Sequence, residues 1–510
     1  MICFWIFVLL VQSFYRKIHP DMKTQLVIFA VLLTAIFVNA QSSTELYKIN
    51  KEELLQNVKI LSSSEFEGRL AGSEGYNKAA HFAADKFYEL GLKPAGDEKY
   101  FQHFNIEYNR IDSPAIFKAI IGTDTINYEL GRDFVCRGFT GSNSLTLPVV
   151  FCGYGISRPD LNYDDFAGID AENKIVIVFK QNPKWKIDDK DWGNNYPREK
   201  SLTAKKHGAK GILFISLPND DKPQQLIGSV LHGEGEQPVD FPQLHISSEA
   251  ANKLLTGTGF TISDCQTKID DMKEPFSMNL ATKAIVEVHA WYEKNAVTMN
   301  VAGMIEGSDP VLKNEYVIVG AHLDHVGTQA GLLFPGANDN ASGSAGVLEI
   351  AKAFTRNGLK PKRSVIFVLF AGEEQGLDGS KHFVESWKQG YDNITAMLNL
   401  DCVGYGDSIQ VGNGKSAPIL WQIAKQNDEA SINLMVNTTW SGGGADATPF
   451  NEKGIPCLYF VTTNSYEHLH LPSDKVETLN GTLYENIVKL AYMTAVEIAN
   501  GSYEREKVSN

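Results

Sequence analysis

Apolar residues along this chain recur in two rhythms. Over residues 51–62 and 73–91 they fall near a 3.6-residue period. In the second stretch Tyr76, Ala79, Ala80, Ala83, Phe87 and Leu90 share one face, and Gly91 supplies a stop. Two helices are predicted there, joined by the Gly-rich loop "FEGRLAGSEG". From about residue 100 the runs shorten. "LPVVFCGYGI", "NKIVIVFKQ", "AKGILFIS" and "FPQLHIS" are β-rich stretches between turn signals, with one helical segment, "EKSLTAKKHGAK", among them. They predict a separate, mostly β unit over residues 112–282.

Beyond residue 284 apolar strands and amphipathic helices alternate. "NEYVIVGAHLD", "RSVIFVLFAG", "ITAMLNLD" and "IPCLYFVTT" read as strands. "SGSAGVLEIAKAFTRNG", "GSKHFVESWK", "PILWQIAKQN" and "LYENIVKLAYMTAVEIAN" read as helices. This alternation predicts an α/β layer structure with a largely parallel sheet. The chain divides into residues 45–111 and 283–503 as one unit, the 112–282 insert, and a tail at 504–510.

The first 40 residues stand apart. In "MKTQLVIFAVLLTAIFVNAQ", Lys23 precedes a stretch from Leu26 to Val38 that is apolar except for Thr34, and Val38-Asn39-Ala40 offers a cleavage site. This has the form of a secretory signal peptide starting at Met22, and it is short for a membrane span. The upstream "MICFWIFVLLVQSF" then reads as an extension, with an uncleaved anchor as the rival. The expected location is therefore outside the cytoplasm, periplasmic or secreted, with no stable membrane insertion after cleavage.

Charge excludes some partners. With 47 Lys and Arg against 61 Asp and Glu among 510 residues, the net charge is −14. An acidic protein of this kind is a poor ligand for nucleic acid or anionic membranes. The six cysteines form no CxxC pair, so a thiolate zinc site is not expected.

The candidate chemistry lies where the apolar strands end, which is where open α/β sheets build their sites. "VIVGAHLDHVG" delivers His322, Asp324 and His325, and "PGANDNASG" delivers Asp339. "VLFAGEE" delivers Glu373 and Glu374, "MLNLDCVG" delivers Asp401, and "HLHLPSD" delivers His468 and His470. Any one of these could be a helix cap or a solvated turn. Converging carboxylates repel, and a pair of divalent cations removes that cost. Mixed carboxylate and imidazole donors suit zinc, with cobalt or manganese as substitutes.

These five segments resemble, in order and spacing, the M28 family of di-zinc peptidases. "SGGGADATPF" resembles that family's substrate-cleft loop, and "VVFCGYGI" with "LNYDDFAGIDAENKIVIVF" resembles the protease-associated (PA) domain that many members carry. The resemblance implies a three-layer zinc exopeptidase fold, a mixed and mostly parallel sheet with helices on both faces, plus a β-rich PA insert. It implies that His322 and Asp401 bind one zinc, Glu374 and His470 the other, and that Asp339 bridges them. His470 stands in the family's spacing to Asp474, so it is preferred over His468. Asp324 is then an orienting carboxylate behind His322, and Glu373 the general base acting on a water activated by both ions. His325 is expected to be a loop or supporting residue. Asp446, Thr448 and Phe450 are expected along the substrate cleft, and the peptide after Asp339 is expected to be cis.

The implied activity is hydrolysis of peptides. From Ser364 to Glu504 there is no arginine to fork a substrate carboxylate, which favours recognition of a free amine and hence an aminopeptidase. Arg132, Arg137, Arg158 or Arg198 in the insert could still reach the cleft, so a carboxypeptidase or dipeptidase remains the alternative. A one-zinc glutaminyl cyclase or a non-catalytic binding protein fits the full ligand set less well.

Overall fold

A computed structural model describes residues 49–193, 196–233 and 235–508; the expected signal segment lies outside them. Helix α1 (Lys51–Leu61) starts at Asn50, whose side chain accepts the Glu53 N–H, and buries Leu54, Val58 and Leu61. Helix α2 (Glu74–Glu89) is capped in the same way by Ser73 and buries Tyr76, Ala79, Ala80, Ala83 and Phe87, the face read from the periodicity. Strand β1 (Phe101–Ile121) then leads into the insert.

The insert has β2 (Phe134–Cys136), β3 (Asn143–Cys152), β4 (Ile175–Phe179), helix α3 (Pro197–Lys206), β5 (Gly211–Ile215) and β6 (Gln243–Ile246). Helices α4 (Ser248–Leu254) and α5 (Ile262–Met272) follow, neither expected from the sequence. Strand β7 (Ser277–Ile305) runs back out of the insert. The remaining elements alternate: β8 (Tyr316–His322), α6 (Gly343–Arg356), β9 (Ser364–Phe370), α7 (Asp378–Glu385), β10 (Ile394–Leu400), β11 (Ile409–Gly412), α8 (Pro418–Ser431), α9 (Ala447–Glu452), β12 (Cys457–Thr462) and α10 (Gly481–Ala499).

These strands form one continuous sheet in the order β11-β12-β10-β8-β9-β7-β3-β4-β5-β6-β2. Strands β9, β8, β10 and β12 are parallel, and every residue of β9, β10 and β12 is buried. Helices on both faces cover such strands, which is why they read as unbroken apolar runs. Their C-terminal ends lie side by side and carry the candidate residues.

The long ribbon of β1 and β7 is the main departure from the sequence reading. Residues 112 and 282, expected as boundaries of the insert, fall inside these two strands. Between His289 and Asn295 no residue of β7 is buried, and bulges interrupt its pairing with β1 at Glu287/His289 and Glu293/Ala296. On β1, opposite this stretch, Asn109 and Ile111 are still buried, so it is β7 that has no buried residue here. No hydrophobic alternation marks it there. Among the described residues Cys136, Cys152, Cys265, Cys402 and Cys457 are buried free thiols, and no helix is long and apolar enough to cross a membrane.

Candidate metal centre

Strand β8 ends at His322, whose ring is buried. Its Nδ1 faces the Asp324 carbonyl at 3.1 Å, which turns Nε2 toward the site. Asp339 sits in an irregular turn before α6, and the Asp339–Asn340 peptide is cis. Asp474 shapes that turn: its two oxygens accept the N–H groups of Asn338 and Asp339 at 2.8 and 3.0 Å. Beyond β9, Gly372 takes φ +68°, a backbone conformation that favours glycine.

Glu373 and Glu374 follow Gly372. Their backbone N–H groups are both held by the buried Asp324 carboxylate, at 3.2 and 3.3 Å. The Asp324 carboxylate also lies 3.7 Å from His322 Nδ1. One buried acid therefore fixes the imidazole and both glutamates, a wider part than orienting His322 alone.

Asp339 divides its carboxylate between two donor groups. Its Oδ1 lies 3.3 Å from His322 Nε2, which in turn lies 3.4 Å from Asp401 Oδ1. Its Oδ2 lies 3.2 Å from His470 Nε2, which lies 2.9 Å from Glu374 Oε2. Two zinc ligands with bonds of about 2.0–2.1 Å in a tetrahedron stand about 3.3–3.4 Å apart, close to most of these separations. Asp401 Oδ1 is buried and has no hydrogen-bond partner, while Oδ2 accepts from the Tyr459 hydroxyl at 2.9 Å. An oxygen left bare in this way is what a cation requires. The donor set thus fits two divalent ions, with Asp339 between them.

His470, and not His468, reaches the group; His468 pairs with Ser473 Oγ at 3.0 Å. His325 does more than support a loop. Its Nδ1 stands 2.8 Å from Glu374 Oε1 and 3.5 Å from Asp339 Oδ2, within the donor cluster of Asp339, Glu374 and His470. Sequence alone left it aside because the family's ligand set was already complete.

Charge is balanced inside the cluster. Burial works to raise the Glu374 carboxyl, but His470 and the hydrogen bonds from both neighbouring imidazoles hold it down at about 2. Burial opposes a charged His322, yet Glu373, Asp339 and Asp401 outweigh it and keep its pKa well above the imidazole value. Glu373 goes the other way: burial, reinforced by Glu374, Asp446 and Asp401, pushes its carboxyl well up. Divalent cations would take over the role of the imidazole protons.

The expected cleft residues fare unevenly. Asp446 is fully buried near His322 and Asp401, and burial pushes its carboxyl up to about 7, so it underlies the site rather than lining it. Thr448 Oγ1 accepts the Gly444 N–H at 3.0 Å and holds the glycine loop. Phe450 is a correction: it is fully buried against Phe370 and Phe383, because α9 turns it into the apolar layer below the sheet.

Arg69 lies in "FEGRLAGSEG", a segment that resembles the same family's entry segment but in which the sequence assigns the arginine no role of its own. It is fully buried and donates to the carbonyls of Leu323, Leu61, Pro335 and Gly336 at 2.7–2.9 Å, tying the loops of His322 and Asp339 together. Burial lowers its pKa to about 10 against the pull of Asp339, Asp474, Asp324 and Glu374. Arg69→Met leaves the carbonyls of Leu61, Leu323 and Pro335 without this partner, while Gly336 keeps the Ala341 N–H, and is expected to cost on the order of 3–5 kcal/mol. Urea denaturation measures this, and an unchanged midpoint would deny Arg69 that role.

A cavity of about 230 Å³ opens on Glu374 and His470, with its other walls from the insert. There the Gly228 N–H donates to the His470 carbonyl at 2.8 Å, so the insert also braces the last donor. A larger cavity of about 660 Å³, around Glu53, Lys86 and Glu349, touches none of the donors.

Known proteins resemble this architecture. Residues 300–495 match the model of peptidase family M28, and residues 145–254 that of the PA domain. A probable leucine aminopeptidase of Arthroderma benhamiae is 30% identical over 199 residues, 37% of this chain and 56% of that protein. This chain thus spans little more than half of that relative's length. Aminopeptidase YwaD of Bacillus subtilis is 23% identical over 429 residues, 81% of this chain and 77% of that protein. The fold matches an aminopeptidase from Aneurinibacillus sp. strain AM-1 with TM-score 0.62 at 20% identity, over 91% of this chain and 96% of that one. It matches BSAP, a zinc aminopeptidase from Bacillus subtilis, with TM-score 0.63 at 20% identity, over 90% and 98%.

Proposed function

We propose, for a chain that carries a domain of peptidase family M28 preceded by a PA domain, that it is a di-zinc aminopeptidase. The observation that carries this reading is Asp339, whose two oxygens face separate donor groups, with Glu373 beside the group of His322 and Asp401. His322 and Asp401 would hold one ion, and Glu374 and His470 the other, with His325 close to the second. Two such ions supply Lewis-acid activation of a water and of the scissile carbonyl.

The protein's own groups do the rest. Glu373 takes the proton from the water and delivers it to the leaving amine. Asp324 keeps Glu373 and Glu374 apart by holding both backbone N–H groups, so the two carboxylates keep separate directions. The insert's share of the cavity wall would limit the substrate to short peptides.

Recognition of a free amine follows from the acidic character of the site and the lack of arginine from Ser364 to Glu504. Acetylating the N-terminus of a chromogenic aminoacyl substrate is expected to lower kcat/KM by at least on the order of 100-fold. Assays with and without chelator test the metal requirement on the same panel. Equal cleavage of blocked and free substrates would reject the aminopeptidase reading in favour of a carboxypeptidase or dipeptidase. Export rests on the apolar stretch from Leu26 to Val38 behind Lys23, and N-terminal sequencing of the mature protein checks it.

A further inference from the structure

Helix α8 has no cap of its own. Its N-cap residue, Ala417, offers the first turn no side-chain acceptor, and Pro418 follows it. The cap comes from a residue more than 80 positions further along the chain. In the tail beyond α10, the two oxygens of Glu506 accept the Ile419 N–H at 3.0 Å and the Leu420 N–H at 2.8 Å, across 86 residues in the second case. A carboxylate in this place also meets the positive end of the helix dipole.

The tail is fixed on both sides of this contact. Tyr503 is buried, and its hydroxyl donates to Glu506 Oε1 at 3.1 Å while accepting the Glu506 N–H at 3.2 Å. Arg505 Nη1 lies 2.9 Å from Asp392 Oδ1, and Nη2 donates to the Gly454 carbonyl at 2.8 Å. Asp392 and Gly454 come just before β10 and β12, so the tail crosses the end of the sheet away from the metal donors.

The start of α8 in turn holds the glycine loop of residues 441–445. The turn that leads into the helix closes on itself, with the Asn413 carbonyl accepting the Ser416 and Ala417 N–H groups at 3.0 and 2.8 Å. From this turn Ser416 Oγ accepts the Gly442 N–H at 3.1 Å, and Asn413 Oδ1 the Gly443 N–H at 2.7 Å. The next residue, Gly444, lies against Tyr459: a Cβ on it would stand 3.3 Å from the ring. The Tyr459 hydroxyl donates to Asp401 Oδ2. Three successive glycines supply no stiffness of their own. Their position depends on the turn before α8 on one side and on the residue that grips a metal donor on the other.

We propose that Glu506 is a positioning residue: by capping α8 it fixes the turn of residues 413–417, and through that turn the glycine loop beside Asp401, so that the tail sets how tightly substrate is held. This rests on the peptidase reading above and adds to it a control exerted from the opposite end of the sheet.

The test is Glu506→Ala in the full zinc-loaded chain. Amide hydrogen exchange over residues 441–445 is expected to quicken on the order of 3- to 10-fold. KM for a chromogenic aminoacyl substrate should rise by a similar factor, with zinc content and kcat close to those of the wild type. Adding Ala417→Ser supplies a cap within α8 itself and should restore both readouts. Glu506→Gln, which keeps one acceptor oxygen, should fall between wild type and Glu506→Ala, and it serves where the alanine variant does not fold. Faster exchange confined to the start of α8, with residues 441–445 and KM unchanged, would make Glu506 a local cap and overturn the proposal. So would effects that Ala417→Ser leaves in place. Absence of hydrolysis in wild type would reject the peptidase reading, and the exchange data would still decide the role of Glu506.

Discussion

Glu373→Gln is expected to keep its zinc and lose kcat by a factor on the order of 10²–10⁴. The expectation comes from how differently the two adjacent glutamates are held. The Glu374 side chain is 5% exposed and is fixed from two sides by His470 and His325, at 2.9 and 2.8 Å. The Glu373 side chain is 18% exposed, and its nearest imidazole nitrogen, His322 Nε2, is 4.0 Å away. Its anchors are those of the backbone: the N–H to Asp324, and the carbonyl, which accepts the Gly376 and Leu377 N–H groups. An amide of the same shape leaves those anchors in place, so the donor groups should stay assembled. What it removes is the ability to accept a proton. Zinc content by atomic emission and single-turnover kinetics check both halves, and near-wild-type turnover would move the base elsewhere.

Asp339→Ala is expected to fail differently. It should hold less than one zinc per chain and lose activity altogether. Both donor groups depend on this one carboxylate, since Oδ1 serves the His322 side and Oδ2 the His470 side. The loss should also appear in stability. An ion that binds only the folded chain at a hundredfold excess over its Kd adds about 2.7 kcal/mol. Zinc should therefore raise the Tm of the wild type, and a chelator lower it, while the variant responds to neither. A variant that still melts higher with zinc would show that the ions are held without the bridge.

The five polar segments at the strand ends were legible because chemistry and topology act on the same short stretches. Each strand is a buried run whose last residues must leave the sheet, and a polar residue placed there has one place to point. The alternating strands and helices were legible for the same reason, each burying a face large enough to set a period.

Other features left no local trace. Arg69 is one arginine in a glycine-rich loop, and its four carbonyl partners come from residues as distant as Gly336. His325 looked surplus because spacing cannot say which way a loop side chain turns; packing against Gly336 turns it toward Glu374. Phe450 lay in a loop resembling a cleft, and helix α9 buried it instead. The β1–β7 ribbon crosses between two cores with no buried residue on β7 from His289 to Asn295, which weakens there the alternation that marks a strand.

The sequence by itself determined the parallel sheet, the presence of the insert and the polar segments at the strand ends, since burial of strands and the proximity of polar residues to strand ends are local properties. Only the tertiary structure decided that Asp339 splits its oxygens between two groups, and that Asp324 holds both glutamates. These are contacts between residues far apart in the chain, fixed by how the loops cross above the sheet. No periodicity encodes such a crossing.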